Sequence, residues 1–185
     1  MEEKSVSTEP ETVEKIQAEI LDTKVIADPS DVVREFYEKG RYGEPFHKKF
    51  QYSLVEAMYL VERGRMVVRK GKKELSFDAL LKLSRKIENN FWVRYAVFKD
   101  MRNRGYIVKT ALKFGAEFRV YDRGVKPGED HAKWVLFPVS EEEVLTWYSF
   151  SAKNRVAHST RKRLLIGVVD AENSVTFYEV RWLRP

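Results

Sequence analysis

The tightest constraint on the fold is a continuous apolar run near the C-terminus, Leu164-Leu165-Ile166-Gly167-Val168-Val169. It does not alternate, so it offers no polar face to water. A strand of this kind is buried on both faces and needs a layer on each side of its sheet. Directly before it stands Arg161-Lys162-Arg163. That position puts the basic cluster at a sheet edge or a helix end rather than in a loose tail.

The remaining elements follow from local patterns. Ser53 with Glu56 three residues on is a capping-box signature, and Leu54, Ala57, Met58 and Val61 recur at helical spacing, so residues 53–62 form a helix that Gly64 ends. Ser76 opens a second helix over residues 77–87, with Leu80, Leu81 and Leu83 turned to a core. The aromatic-rich residues 91–103, closed by Arg104-Gly105, form a third. A shorter one begins at Asp31 and stops by Gly40 and Gly43. Strands are expected at residues 24–27, 66–69, 106–110, 118–121, 133–139 and 175–183, with a hairpin corner at 70–73. Residues 11–20 read as a short helix, and 141–147 as a turn or short helix. The pattern pauses at Glu88-Asn89-Asn90, which marks a boundary. The expected architecture is α/β in the mixed α+β sense. An acidic, mobile tail over residues 1–20 leads into a small N-terminal α/β domain over 21–88. A C-terminal domain over 89–185 has a mixed β-sheet flanked by helices.

Composition excludes several function classes. The 185 residues suffice for a sizeable core. There is no cysteine, hence no disulfide and no thiolate metal site. No stretch approaches the roughly 18 consecutive apolar residues that span a bilayer, and the acidic N-terminus does not read as a signal peptide. A cytoplasmic protein with no membrane partner is expected. Net charge is +6, while residues 1–20 hold six Glu and two Lys, so the body beyond them carries +10. A basic body suits a polyanion such as nucleic acid, and a well-solvated charged surface has the same composition.

Three histidines are present. His47 sits in a basic loop. His158 lies beside an apolar segment, where a histidine is usually a satisfied structural residue. His131 lies in a polar, Gly- and Pro-interrupted loop between two strands, the kind of place where functional groups gather. Tyr121 stands just before that loop and Lys162 in the basic cluster. A phenol, an imidazole and an ammonium suffice to cleave an RNA backbone without metal, provided the fold unites them. No ligand spacing suits zinc, and Asp122, Glu129 and Asp130 read equally well as solvated loop carboxylates. Lys153 and Arg155 extend the basic cluster into a patch suited to phosphates, and arginine also stacks on unpaired bases.

The segments Arg104-Gly105-Tyr106-Ile107-Val108-Lys109-Thr110 and Lys113-Phe114-Gly115-Ala116-Glu117-Phe118, those around Tyr121 and His131, and Arg155-Val156-Ala157-His158-Ser159-Thr160-Arg161-Lys162 occur here in one order. Together they resemble the archaeal tRNA-splicing endonucleases, from about Leu54 onward. The resemblance implies an endonuclease with a catalytic triad of Tyr121, His131 and Lys162 and no metal or cofactor. It implies precursor tRNA as substrate, folded as a bulge–helix–bulge at its intron–exon junctions, and products ending in a 2′,3′-cyclic phosphate and a 5′-hydroxyl. Chemistry then assigns Tyr121 as general base for the 2′-hydroxyl, His131 as general acid for the leaving 5′-oxygen, and Lys162 as the charge facing the phosphorane. An ordinary tyrosine pKa of about 10 leaves little phenolate at neutral pH, so Lys162 and nearby arginines are expected to favour it.

The resemblance further implies that Arg155 and Arg181 clamp a bulged base, against the plainer reading of surface ion pairs. It implies a homotetramer, a dimer of dimers, with the last strand packed across each dimer. An acidic loop, Asp170 and Glu172, would enter a basic cleft of the other dimer, although a charged β-turn explains it too. A heterotetramer with a second subunit is the alternative assembly. Two rival functions stand beside this one: a non-catalytic RNA-binding or structural subunit, and a metal-dependent DNA nuclease of restriction type.

Overall fold

The computed structural model describes residues 14–111, 115–128 and 130–183. Residues 1–13 of the acidic tail, and Lys113, Phe114 and Glu129 of the motifs above, lie outside them.

The N-terminal sheet has six strands in the order β3-β4-β2-β1-β5-β6. Strand β1 (Ile16–Leu21) corrects the helix expected over residues 11–20, and the tail assigned to 1–20 overlaps it. Ile16, Ala18 and Ile20 are buried while Gln17, Glu19 and Leu21 are exposed, a period of two. It pairs antiparallel with β2 (Lys24–Ala27) and parallel with β5 (Met66–Lys70), which puts it inside the sheet. The hairpin of β3 (Glu44–Phe46) and β4 (Lys49–Tyr52) was not expected either. Its strands are short, one contains Pro45, and they barely alternate. Strand β6 (Lys73–Glu74) closes the other edge.

Helix α1 (Asp31–Gly40) begins at Asp31 as expected and is capped by Ser30, whose hydroxyl accepts from the Val33 N–H. Helix α2 (Leu54–Glu62) begins with the full capping box of Ser53 and Glu56, and every residue from Leu54 to Leu60 is buried. Helix α3 (Phe77–Ile87) starts at its Ser76 cap as the pattern predicts.

The C-terminal sheet runs β11-β10-β9-β8-β7, from β7 (Ile107–Thr110), β8 (Phe118–Tyr121), β9 (Trp134–Ser140), β10 (Arg163–Val169) and β11 (Val175–Val180). Strands β9 and β10 are parallel and all other neighbours antiparallel. A parallel pair needs a crossover, and here it is helix α5 (Trp147–Ser159). Alternate residues of β9 and β10 face opposite ways. Leu136, Leu165 and Val169 join the core that holds Val97, Phe98 and Met101 of helix α4 (Phe91–Asn103). Val135, Phe137, Val139, Leu164 and Ile166 join a second cluster with Ala157 of α5. The apolar run of β10 is thus covered on both sides. Gly167 allows the close approach of α4, since a Cβ there would meet Val97 side-chain carbons at 3.1 Å and the Phe177 ring at 3.2 Å. The first core is shared by both sheets. No helix among the described residues is long and apolar enough to cross a membrane.

Candidate active site

On β8, Phe118 and Val120 enter the core under α4. Their neighbours Arg119 and Tyr121 therefore face the other side of the sheet. After Tyr121 the chain makes a loop of residues 122–133, pinned at its base. Lys133 binds Asp122 through its ammonium and donates its backbone N–H to the Val120 carbonyl. Gly124 and Gly128, both at positive φ, turn the loop, and it delivers His131 back to the strand ends. The backbone N–H of His131 donates to Asp130 Oδ1 at 2.6 Å.

Lys162 arrives from the far side, at the end of α5. Arg161 takes the left-handed conformation (φ 54°). Its N–H donates to the His158 carbonyl and that of Lys162 to the Ala157 carbonyl. This is the hydrogen-bond pattern of a Schellman turn, with arginine where glycine is usual. The basic cluster thus sits at a helix end. The turn sends Lys162 towards β8, and among the described residues its ammonium donates only to the Thr160 carbonyl, at 3.0 Å.

The three segments meet. Tyr121, His131 and Lys162 line one open cavity of about 410 Å³, together with Arg119, Gly128, Asp130 and Ala132. Tyr121 is buried, while His131 is exposed and Lys162 half-buried. The phenol does not behave as expected. Burial raises its pKa, Arg119 opposes that, and Glu44 adds to it. The cation that counters the burial is Arg119, two residues away on the same strand, and not Lys162. Its i, i+2 position before Tyr121 was the available sequence signal.

Behind the cavity lies a second ionic site of different character. Lys109 on β7 donates to Glu56 Oε1 at 2.8 Å, to the Gly43 carbonyl at 2.9 Å and to the Arg41 carbonyl at 3.0 Å. Glu56 also accepts from the Gly43 N–H, the Ser53 N–H and the Ser53 hydroxyl. Burial pushes the Glu56 carboxyl up, but Lys109 and the Ser53 hydrogen bonds hold it below its ordinary value. The clamp fastens the N-terminal domain to β7.

Arg155 is exposed on α5 and lines a separate cavity of about 510 Å³ with Ser151, Asn154, His158, Ser159 and Trp182. Arg181 does not line it, and instead donates from Nε to Glu179 at 2.7 Å. Trp182 does line it, its ring edge-on to His158 at 4.7 Å. His158 is exposed there, which corrects its reading as a satisfied structural residue. Asp170 organises its own turn, accepting from the Glu172 and Ser174 N–H groups, and Glu172 is exposed. The final strand ends at Val180, three residues earlier than expected. Among the described residues, no group of three or more His, Asp or Glu is placed to hold a metal ion.

Residues 91–177 match the catalytic C-terminal domain of tRNA intron endonuclease, and residues 16–81 match its N-terminal domain. This chain belongs to the tRNA intron endonuclease family. It is 39% identical to the tRNA-splicing endonuclease of Thermococcus onnurineus over 92% of its own length and 98% of the relative's. The tRNA-splicing endonuclease of Methanothermobacter thermautotrophicus is 37% identical over 92% of this chain and 99% of the relative. That of Nanoarchaeum equitans is 46% identical over 71% and 88%. Family likeness thus reaches back to Ile16, well before Leu54, where the motif resemblance began. The match to the catalytic domain of tRNA intron endonucleases contains Tyr121, His131, Lys162 and Arg155, and stops short of Arg181 and Trp182.

Proposed function

We propose that this protein cuts precursor tRNA at intron–exon junctions folded as a bulge–helix–bulge, without a metal, leaving a 2′,3′-cyclic phosphate and a 5′-hydroxyl. The observation that carries the reading is the convergence of Tyr121, His131 and Lys162 on one cavity, in a chain of this family. The 2′-oxygen attacks the adjacent phosphorus as Tyr121 takes its proton. The P–O5′ bond breaks and His131 gives a proton to the departing oxygen. Lys162 faces the charge that builds on the non-bridging oxygens. Burial raises the pKa of the phenol, which makes its phenolate a stronger base and a rarer one at neutral pH. General acid–base assistance contributes roughly 10²–10⁴-fold.

Arg155 lies beside Trp182 in its own cavity, and we assign that pair to grip an unpaired base. A guanidinium and an indole can sandwich a base by stacking. Arg181, held by Glu179, is the weaker candidate for that role. Two cut sites require two active sites at a fixed spacing, which a homotetramer in the cytoplasm would supply. The edge strand β11, with exposed Tyr178 on it and exposed Leu183 past its end, offers a dimer surface. The exposed Glu172 offers the acidic loop its charge.

The test is cleavage of a bulge–helix–bulge RNA by the purified protein alone in chelator, with the ends identified. Cyclic phosphate ends are expected. His131→Ala should bind that RNA like wild type and cut it at least about a hundredfold more slowly. Wild-type cutting by that variant removes His131 from the mechanism. Activity lost in chelator favours a metal-dependent nuclease, and activity only with an added subunit overturns the homotetramer.

A further inference from the structure

Arg119 and Lys109 are directly cross-strand partners in the β7–β8 ladder. Two cations so placed repel each other, and burial aggravates it. Lys109 is neutralised by Glu56, but Arg119 has no such partner on its own sheet. The N-terminal domain supplies one. Glu44, the first residue of β3, puts its Oε1 3.6 Å from Arg119 Nη2 and 3.8 Å from Lys109 Nζ. Among the described residues Glu44 is the sole ion-pair partner of Arg119. The clamp of Lys109 on the Arg41 and Gly43 carbonyls fixes the segment that carries Glu44. At the other end Arg119 lines the cavity, with its guanidinium 6.0 Å from the centre of the Tyr121 ring.

We propose that Arg119 is a positioning residue for Tyr121, held at the phenol by Glu44 of the N-terminal domain. The N-terminal domain thereby takes part in setting up the base, beyond any contact with RNA. The proposal rests on the reading of Tyr121 as the base. Around the phenol stand Arg119 from its own strand, Glu44 from β3, Asp130 and His131 from the loop, and Lys162 from the end of α5. Arg119 is the member of this set that opposes the effect of burial on the phenol. Glu44 acts in two ways with opposite sign. Its charge disfavours the phenolate directly, and its grip on Arg119 favours it.

The experiment follows the Tyr121 phenol by NMR of protein carrying ¹³C-labelled tyrosine, the signal being identified by its loss in Tyr121→Phe. Arg119→Met should move the titration midpoint up by about one unit and lower the saturating single-turnover cleavage rate up to about tenfold, with RNA affinity little changed. Arg119→Lys should restore most of both. Glu44→Gln should raise the midpoint in the wild-type background, where it frees Arg119. In the Arg119→Met background only its direct charge is left, and the same change should lower the midpoint. An unchanged midpoint in Arg119→Met overturns the proposal, as does a loss confined to RNA affinity. A fall on Glu44→Gln in the wild-type background overturns the anchoring by Glu44, and that arm decides the matter even where Arg119→Met folds poorly. Wild-type cleavage by Tyr121→Phe defeats the underlying assignment of the base instead, and does so without touching the titration.

Discussion

Lys109 directs all three of its donors into the molecule, to a carboxylate and two carbonyls. Lys162, from the turn after α5, has one hydrogen bond to the described residues and otherwise faces an open cavity. Lys109 is 4% exposed and answers a carboxylate that is 6% exposed. Among the described residues Lys162 pairs with no carboxylate. The same contrast holds for their surroundings. Around Lys109 the Gly43 and Ser53 N–H groups also go to Glu56, so donors and acceptors are matched. Around Lys162 the phenol of Tyr121 and the imidazole of His131 make no hydrogen bond to a described residue. Side chains that hold a fold together satisfy one another, whereas side chains kept for a substrate leave hydrogen-bonding capacity unused.

The largest effect that can break this contrast is on stability. Lys109→Met leaves the Glu56 charge buried without its partner, which costs about 3–5 kcal/mol and about 10 °C of melting temperature in a chain of this size. The pH dependence should change with it. In the wild type the Glu56 pKa is depressed. Its contribution is therefore complete above the ordinary carboxylate value and is lost as pH falls below it through the folded-state value. Without Lys109, only the Ser53 hydrogen bonds oppose burial and the pKa rises, so the variant should gain stability as pH is lowered from neutrality toward that range. A Lys109→Met protein that melts like wild type would erase the distinction between the two lysines.

Lys162→Met is the matched change. Single-turnover cleavage should fall by roughly 10²–10³-fold, as when one fixed charge-stabilising group is removed. The melting temperature should stay within about 2 °C, because no described carboxylate loses its partner. Cleavage assays and thermal denaturation of both variants side by side give four numbers, and each lysine should move chiefly one observable. A large loss of stability in Lys162→Met would mean that the cavity is a structural site.

The two sites differ as much in how far the sequence exposes them. Tyr121 ends a strand, His131 lies in the loop that follows and Lys162 stands just past a helix end, and their chemistry and neighbours single them out. Their meeting in one cavity depends on α5, which carries Lys162 back to β8, and α5 leaves little trace in the pattern. Only Ala157 of its residues is fully buried, and Trp147 and Tyr148 are 83% and 80% exposed, so no apolar stripe marks it. The capping box of Ser53 and Glu56 is legible because it spans four residues. The second task of Glu56 is not, since Lys109 lies 53 positions away. Strand β1 was misread because an acidic segment runs into it and its three inward residues are few. Arg119 went unnoticed because a cation on a strand ordinarily means a solvated face. Only the fold puts Glu44 beside it and turns it to the phenol.

The smallest effect concerns a third ionic cluster, intermediate between the two. Glu179 on β11 accepts from Trp134 Nε1 at 2.8 Å and Arg181 Nε at 2.7 Å, and pairs with Arg163 at 3.3 Å. The Trp134 hydrogen bond, then the two arginines, hold its carboxyl down at about 2. The shift is large, yet Arg181 and Arg163 are 64% and 46% exposed, so water and salt screen most of it. Glu179→Gln, which keeps an acceptor for Trp134, should therefore cost under about 1 kcal/mol at neutral pH. Because the native pKa is depressed, the wild-type contribution is present above the ordinary carboxylate value and fades as pH falls towards about 2. The two proteins should accordingly converge in acid, and their neutral-pH gap should narrow with added salt. A salt-insensitive loss of several kcal/mol would place Glu179 with Glu56 among the internally matched groups, and the contrast between buried and exposed charge in this molecule would have to be redrawn along β11.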